Sequence, residues 1–394
     1  MVRLGTLSSS GMEIDRESLL VVLAVAAAAP LLADLPRRVR VPGVVAEILL
    51  GIVVGPQVLD FAHTDALIEA LSQFGLAFLF FMAGMEIDFE RVRGVPLRLA
   101  ARGWAASLAL GMVVAALLYA LGVIGAPILV GLALTTTALG ALVPILKDAG
   151  LADGRLGTRV LAAGAAGEFG PIVALSIILA IASGELWRTL LLGVFAAAAI
   201  ALGLLATRVR PGRVVRLVEA TMHASGQVAL RLALLLLGGL VVLAGTLGLD
   251  VVLGAFTAGL IVGLVARGEA AHAFHVKLDG VGYGFLIPIF FIATGLDFDL
   301  DALLSDAATL ALVPGFALVF LLVRGLPAWW LNRDLPAGER VALTLMVSAA
   351  LPLVVAITEV AVDAGRLDAQ DAAALVGAGM LSLLLFPLLG MRRA

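Results

Sequence analysis

Apolar runs of roughly twenty residues recur from one end of this chain to the other, cut only by short clusters of glycine, proline and charge. A helix that crosses a bilayer needs about 20 predominantly apolar residues. Lipid also offers no partner for an open backbone, so such runs fold as helices that close their own hydrogen bonds. Over 394 residues the composition is 62% hydrophobic and only 14% charged, which excludes an ordinary soluble domain of this length. The expected fold class is an all-α polytopic membrane protein, with one transmembrane transport domain over 1–394 and no polar block long enough for a second domain. The stretch Met1 to Glu17 carries Glu13, Asp15 and Glu17 and lacks an apolar core with a small-residue cleavage site, so the first helix is expected to be retained. Cysteine is absent, which removes disulfides, thiol catalysis and cysteine metal sites.

Thirteen helices are expected, near 18–33, 41–58, 66–86, 97–122, 125–147, 158–183, 187–207, 228–247, 250–266, 280–296, 306–328, 339–361 and 368–391. Alternate loops then sort the basic residues. One side collects Arg37, Arg38, Arg40, Arg91, Arg93, Arg98, Arg102, Lys147, Arg155, Arg159, Arg208, Arg210, Arg213, Arg216 and Arg231. The same side takes Arg267, Lys277, Arg324, Arg333, Arg340, Arg392 and Arg393. The other side keeps Arg3, Arg16, Arg188 and Arg366, a split of 22 against 4 over all 26 Lys+Arg. A wrong helix count would scramble this alternation, and the positive-inside rule puts the N-terminus outside and the C-terminus in the cytoplasm of an inner (plasma) membrane. Trp104, Trp187, Trp329 and Trp330 all fall near span ends, where amphipathic rings settle.

The third span carries Phe80, Phe81, Gly84, Asp88 and Phe89, and the tenth carries Phe290, Phe291, Gly295, Asp297 and Phe298 in the same order. A second echo links the ends of the fifth span (Lys147 to Gly150) and the twelfth (Val362 to Gly365). Each pair lies seven spans apart, an odd number, so the two copies run in opposite directions through the membrane. The repeats are expected at about 41–183 and 250–391, with a linker helix and the eighth helix at about 187–247. Inverted repeats with corresponding interrupted helices point to a midplane site in a secondary transporter.

Glu168 stands in that region, an acid flanked by Gly164, Gly167, Gly170 and Pro171 within a long apolar helix. A carboxylate at membrane depth is costly unless it faces a cavity, pairs or is protonated, so it reads as a functional site. A carboxylate that loses a proton when it binds a cation is what cation/proton exchange requires. The alternative is a static buried ion pair with Arg324. Thr135, Thr136 and Thr137 sit mid-span in the fifth helix, followed by Gly140 and Pro144, and Ser348 and Pro352 interrupt the twelfth in register. Local unwinding there frees carbonyls and hydroxyls for a monovalent cation; the alternative is that the hydroxyls bond back to carbonyls one turn earlier. Arg324 is open to two readings, snorkelling to the surface or compensating Glu168 and nearby helix-end charge. Glu47, in the second span, is open to the same choice between structure and function. Glu359 reads as solvated beside Asp363, and Asp297, Asp299 and Asp301 as an outer polar cap. His63, His223, His272 and His275 show no metal spacing, no cofactor is expected, and no hydrolase or metalloprotease motif marks an enzyme.

Four segments together resemble one family. Pro42 to Pro56, with Glu47, Gly51 and Gly55, is similar to the second-span motif of the bacterial monovalent cation:proton antiporters. That branch of the cation:proton antiporter superfamily includes Kef-type potassium exchangers and related sodium exchangers. Phe80 to Asp88, Leu253 to Leu260 and Pro288 to Gly295 are similar to its third-, ninth- and tenth-span motifs. The resemblance implies a homodimer in membrane lipid, with a scaffold and a mobile core that carries two crossed, broken helices, here the fifth and twelfth. It places Glu168 at the ion-binding position and Arg324 at the basic position of the eleventh span, while Gly167 stands where a second acid would be. The implied function is exchange of Na⁺ or K⁺ for H⁺ by alternating access, expected to be electroneutral because one carboxylate titrates. No nucleic-acid partner is expected, and no soluble regulatory domain of the Kef type. The competing readings are a sodium-coupled organic-anion symporter of related fold, expected to have fewer spans, and a channel-like cation conduit, which needs a continuous polar pore.

Overall fold

The computed structural model describes residues 15–34, 42–86, 94–152, 154–182, 227–247, 251–265, 269–305, 307–363 and 365–393. Among the described residues all regular structure is helical. In chain order the helices are α1 (Arg16–Asp34), α2 (Gly43–Val54), α3 (Ala66–Met85), α4 (Val95–Ala120), α5 (Pro127–Ala133), α6 (Leu139–Asp148) and α7 (Arg155–Ala182). Then come α8 (Val228–Thr246), α9 (Val251–Val265), α10 (Glu269–Val281), α11 (Ile287–Leu296), α12 (Leu300–Leu304), α13 (Ala307–Phe320) and α14 (Leu326–Leu331). The chain closes with α15 (Ala337–Val347), α16 (Pro352–Asp363) and α17 (Ala369–Met391).

Nine helical stretches among the described residues are long and apolar enough to cross a membrane, with Gly43–Val54 and Val251–Leu264 as shorter apolar helices. The chain is a multi-pass membrane protein. The seventh expected span, 187–207, lies outside the described residues. So do Asp88, Trp187, Arg188, His223, Arg267, and the basic loop positions Arg37 to Arg40, Arg91, Arg93 and Arg208 to Arg216. The fifth span is α5 and α6 with a non-helical break between them, and the twelfth is α15 and α16 with another.

The tenth span differs from its expected start at 280, because the helix already begins at Glu269. Its first turns carry histidine and lysine and read as a loop, yet Phe274 and Leu278, one turn apart, are both buried and bring that face onto the core. Five-residue π-helical turns, Gly282–Leu286 and Leu321–Gly325, join α10 to α11 and α13 to α14. The second of them carries Arg324.

Two helix crossings are closely matched. A Cβ on Gly84 of α3 would meet the Phe256 carbonyl of α9, and one on Gly259 of α9 would meet the Phe81 carbonyl of α3. In the same way a Cβ on Gly295 of α11 would meet the Ile48 carbonyl of α2, and one on Gly51 of α2 the Ile292 carbonyl of α11. Each glycine thus touches the carbonyl three residues before its partner glycine. The third span meets the ninth as the tenth meets the second, which is the exchange an inverted repeat produces. Small residues let helix backbones approach in lipid, where van der Waals packing drives association. One end of the molecule is basic: Arg340 lies 3.8 Å over the Trp329 ring and Arg333 4.5 Å over Trp330, while Arg159 and Arg155 both pair with Asp334, at 2.8 and 3.2 Å.

Gly259→Ala should therefore push α9 off α3 and cost about 1–3 kcal/mol, the usual range for overpacking. Gly239→Ala in α8, where a Cβ would meet nothing within 4 Å, should be neutral or stabilise by up to about 1 kcal/mol through helix propensity. Thermal unfolding of the detergent-solubilised protein measures both.

Candidate cation-binding site

The two broken helices meet at their breaks. Thr135 to Ala138 leave the helix in one, and Ser348 to Leu351 in the other, where Pro352 lacks an N–H and starts α16. Freed backbone groups cannot turn to water here, and the structure pairs them across the crossing. Ala138 N–H donates to the Ala349 carbonyl at 2.8 Å, and Thr137 N–H to the Gly167 carbonyl at 3.1 Å. The Ala350 amide donates to Ser382 Oγ of α17 at 3.1 Å, and that hydroxyl lies within donating distance of the Gly379 carbonyl at 2.8 Å and the Ala350 carbonyl at 3.0 Å.

Glu168, on α7, is 4% exposed. Its Oε1 accepts from Leu139 N–H at 3.1 Å. This amide belongs to the N-terminus of half-helix α6, whose unpaired N–H groups and dipole favour an anion. The other oxygen, Oε2, is buried without a hydrogen-bond partner among the described residues. Glu168 therefore presents one anchored and one uncommitted oxygen to the crossing.

Arg324 is 3% exposed, so it does not snorkel. It also forms no ion pair with Glu168, because no carboxylate lies within 4.0 Å of it among the described residues. The static pair weighed from the sequence is absent. Its Nε and Nη2 instead donate to Thr137 Oγ1 at 3.0 and 2.8 Å, and Nη2 also donates to the Ala163 carbonyl at 2.9 Å. Thr137 Oγ1 in turn donates to the Val347 carbonyl, the C-terminal end of α15, at 2.6 Å. A cation thus lies one hydroxyl away from a negative helix end, while an anion caps a positive one. Gly167 has its place in this arrangement: a Cβ there would lie 2.6 Å from both Arg324 Nη2 and Thr137 Oγ1. The guanidinium occupies the space that a larger residue at 167 would need.

The other sequence candidates divide. Thr135 and Thr136 line the break, but their hydroxyls donate to the carbonyls of Leu132 and Ala133 at 2.7 and 2.8 Å, as in the back-bonding alternative. Ser348 does the same to the Thr344 carbonyl at 2.8 Å. Each oxygen keeps lone pairs that can still face a cation. Glu47 is buried in α2, which packs on α1 and α11, and stands apart from the crossing. Asp299 caps α12 through the Ala302 amide at 2.7 Å. Asp297 and Asp299 also line, with Glu69 and Glu359, a cavity of about 390 Å³ between α3, α11, α16 and α17. Burial pushes the Asp297 carboxyl above its ordinary value, and the charge of Glu69 adds to that. His63 pairs with Asp60 at 2.9 Å on the surface, and no cluster able to hold a metal ion is present among the described residues.

Sequence reasoning missed Glu86 and Tyr283. Glu86 follows the last turn of α3, and Tyr283, in the first π-helical turn, brings its hydroxyl within 3.6 Å of where a Cβ on Gly140 would lie. The signal was an acid directly after Gly84 and Met85 in the third-span motif, at the end of a wholly apolar run.

A model of the sodium/hydrogen exchanger transmembrane domain matches residues 21–390. The chain belongs to the sodium/hydrogen exchanger family. The Bacillus subtilis relative YjbQ, whose name assigns Na⁺/H⁺ antiport provisionally, is 29% identical over 364 residues, which is 86% of this chain and 56% of the relative. This chain thus spans little more than half of that relative. The Na⁺/H⁺-K⁺ antiporter GerN of Bacillus cereus is 25% identical over 283 residues, 68% of this chain and 69% of GerN. The solved structure of the sodium proton antiporter MjNhaP1 from Methanocaldococcus jannaschii shares the fold, with a TM-score of 0.64 at 16% identity over 95% of this chain and 96% of that one. Members of the family are transporters.

The three threonines should separate on mutation. Thr137→Val strands the Arg324 donors and the Val347 carbonyl, and should cost about 2 kcal/mol or more, as for unsatisfied buried polar groups. Thr135→Val and Thr136→Val remove only a bond within their own helix and should each cost less than about 1 kcal/mol. Unfolding midpoints of the purified variants give the comparison.

Proposed function

We propose that this exchanger-family chain moves a monovalent cation, Na⁺ or K⁺, against H⁺ by alternating access, with Glu168 as the shared site. The observation that carries the reading is the uncommitted Oε2 of a carboxylate that is 96% buried, by its 4% exposure, at the crossing of two broken helices. A proton satisfies that oxygen in one state and a cation in the other, so the two compete for one place. Thr135, Thr136, Thr137 and Ser348 would supply neutral oxygens beside it, Pro352 keeps the second break open, and Arg324 holds the crossing together through Thr137. Relatives named for exchange of Na⁺, K⁺ and H⁺ support the substrate class. The matched glycine crossings support two inverted repeats over about 41–183 and 250–391. The charge asymmetry supports a cytoplasmic basic face in the plasma membrane, and the family resemblance a homodimer. No observation favours the organic-anion carrier or the open conduit.

Glu168→Gln keeps the shape and one oxygen but cannot release a proton. Reconstituted with a pH-sensitive dye, it should fold normally and lose cation-dependent proton movement with each of Na⁺, K⁺ and Li⁺; substantial exchange by this variant would overturn the assignment.

Exchange should also be electroneutral. Gly167 leaves no second acid beside Glu168, and the basic partner is an arginine, which stays charged at any workable pH. Each cation bound then displaces one proton. A cycle moving one net charge would couple to voltage by about 2.3 kcal/mol per 100 mV. An imposed potassium-diffusion potential should leave the rate of Na⁺-driven exchange unchanged, and a rate that follows its sign would implicate a second charge, at Glu86 or Glu47.

A further inference from the structure

On the basic side of the crossing, α4, α7, α14 and α15 line a pocket of about 20 Å³ whose polar lining is Trp104, Arg159, Arg324 and Asn332. A single water needs about 10–15 Å³, so the space admits a particle of about that size. Three acceptors around it each take one donor. The Ala163 carbonyl takes Arg324 Nη2 at 2.9 Å, the Val347 carbonyl takes Thr137 at 2.6 Å, and Asn332 Oδ1 takes Arg159 at 3.2 Å. Two donors are left over. Trp104 Nε1–H is buried with no acceptor among the described residues, and Arg324 Nη1 reaches only Ser107 Oγ, at 3.5 Å.

Charge is unbalanced in the same direction. Arg159 is compensated by Asp334 at 2.8 Å. Arg324 has no carboxylate within 4.0 Å among the described residues, and a buried charge without a partner is strongly disfavoured in lipid. A water accepts from both donors but leaves the guanidinium charge uncompensated. A halide brings only acceptor capacity and the missing countercharge. The indole is also held in place, since its ring fills the space where a Cβ on Gly170 would lie.

We infer that this cavity is a binding site for one halide-sized anion, chloride under ordinary conditions, held between Arg324 Nη1 and Trp104 Nε1. The anion serves as the counterion of Arg324, and its binding does not depend on the exchange reading.

Thermal unfolding of the purified full chain, at fixed Na⁺ and ionic strength, should show a midpoint that rises and saturates as chloride replaces gluconate, because a ligand specific to the folded state stabilises it by mass action. Bromide should act like chloride. Trp104→Phe keeps a ring against Gly170 but removes the donor, and should weaken the half-saturating chloride concentration about tenfold. Crystals of the unmodified protein grown in bromide should show an anomalous peak between the two donors, a readout that does not depend on the variant folding. No chloride response, an equal response to gluconate or sulfate, an unchanged response in Trp104→Phe, or no bromide peak would each overturn the assignment.

Discussion

The hydrogen bond from Ala138 N–H to the Ala349 carbonyl, 2.8 Å long, joins two interrupted helices where water cannot reach. A helix broken in lipid exposes amides at one new end and carbonyls at the other, and each left unpaired is strongly destabilising. The rest of the crossing follows from this requirement. Thr137 N–H finds the Gly167 carbonyl, Leu139 N–H finds Glu168, and the Val347 carbonyl finds the Thr137 hydroxyl. Breaking the helices creates a demand for polar partners, and the side chains meeting that demand are the ones suited to ion chemistry.

The two ionisable groups divide the task. Glu168 answers the positive end of α6 with one oxygen and leaves the other without a partner among the described residues. Arg324 answers the negative end of α15 through Thr137 without touching Glu168. Because the two do not neutralise each other, the second oxygen of Glu168 stays unpaired among the described residues. A direct ion pair would have locked it. Gly167 makes the separation possible by leaving room for the guanidinium next to α7.

Much of this was legible in the sequence, because lipid imposes few and strong rules. Apolar runs marked most of the described spans, and the cost of a buried acid singled out Glu168, which is buried at the crossing. The Thr135–Thr137 and Ser348–Pro352 interruptions marked both breaks. What stayed hidden depends on tertiary contact. No local signal distinguishes Thr137, whose hydroxyl crosses to α15, from Thr135 and Thr136, whose hydroxyls turn back on their own helix. Arg324 could be placed at depth, but its neutral partners Ala163 and Ser107 come from other helices. The early start of α10 was obscured because polar residues on its exposed face outweigh Phe274 and Leu278 in a simple reading of hydropathy. The approach of the π-helical turn and α6 to α3 joins segments far apart in the chain.

The central claim is that one carboxylate oxygen holds a proton and a cation by turns. Its most direct test is calorimetric titration of the purified protein with Na⁺ or K⁺ in buffers of different ionisation enthalpy, which counts the protons released on binding. The account predicts one proton released per cation bound in the pH range where Glu168 begins protonated, and none from Glu168→Gln. Cation binding without proton release, or release that survives in Glu168→Gln, would contradict it.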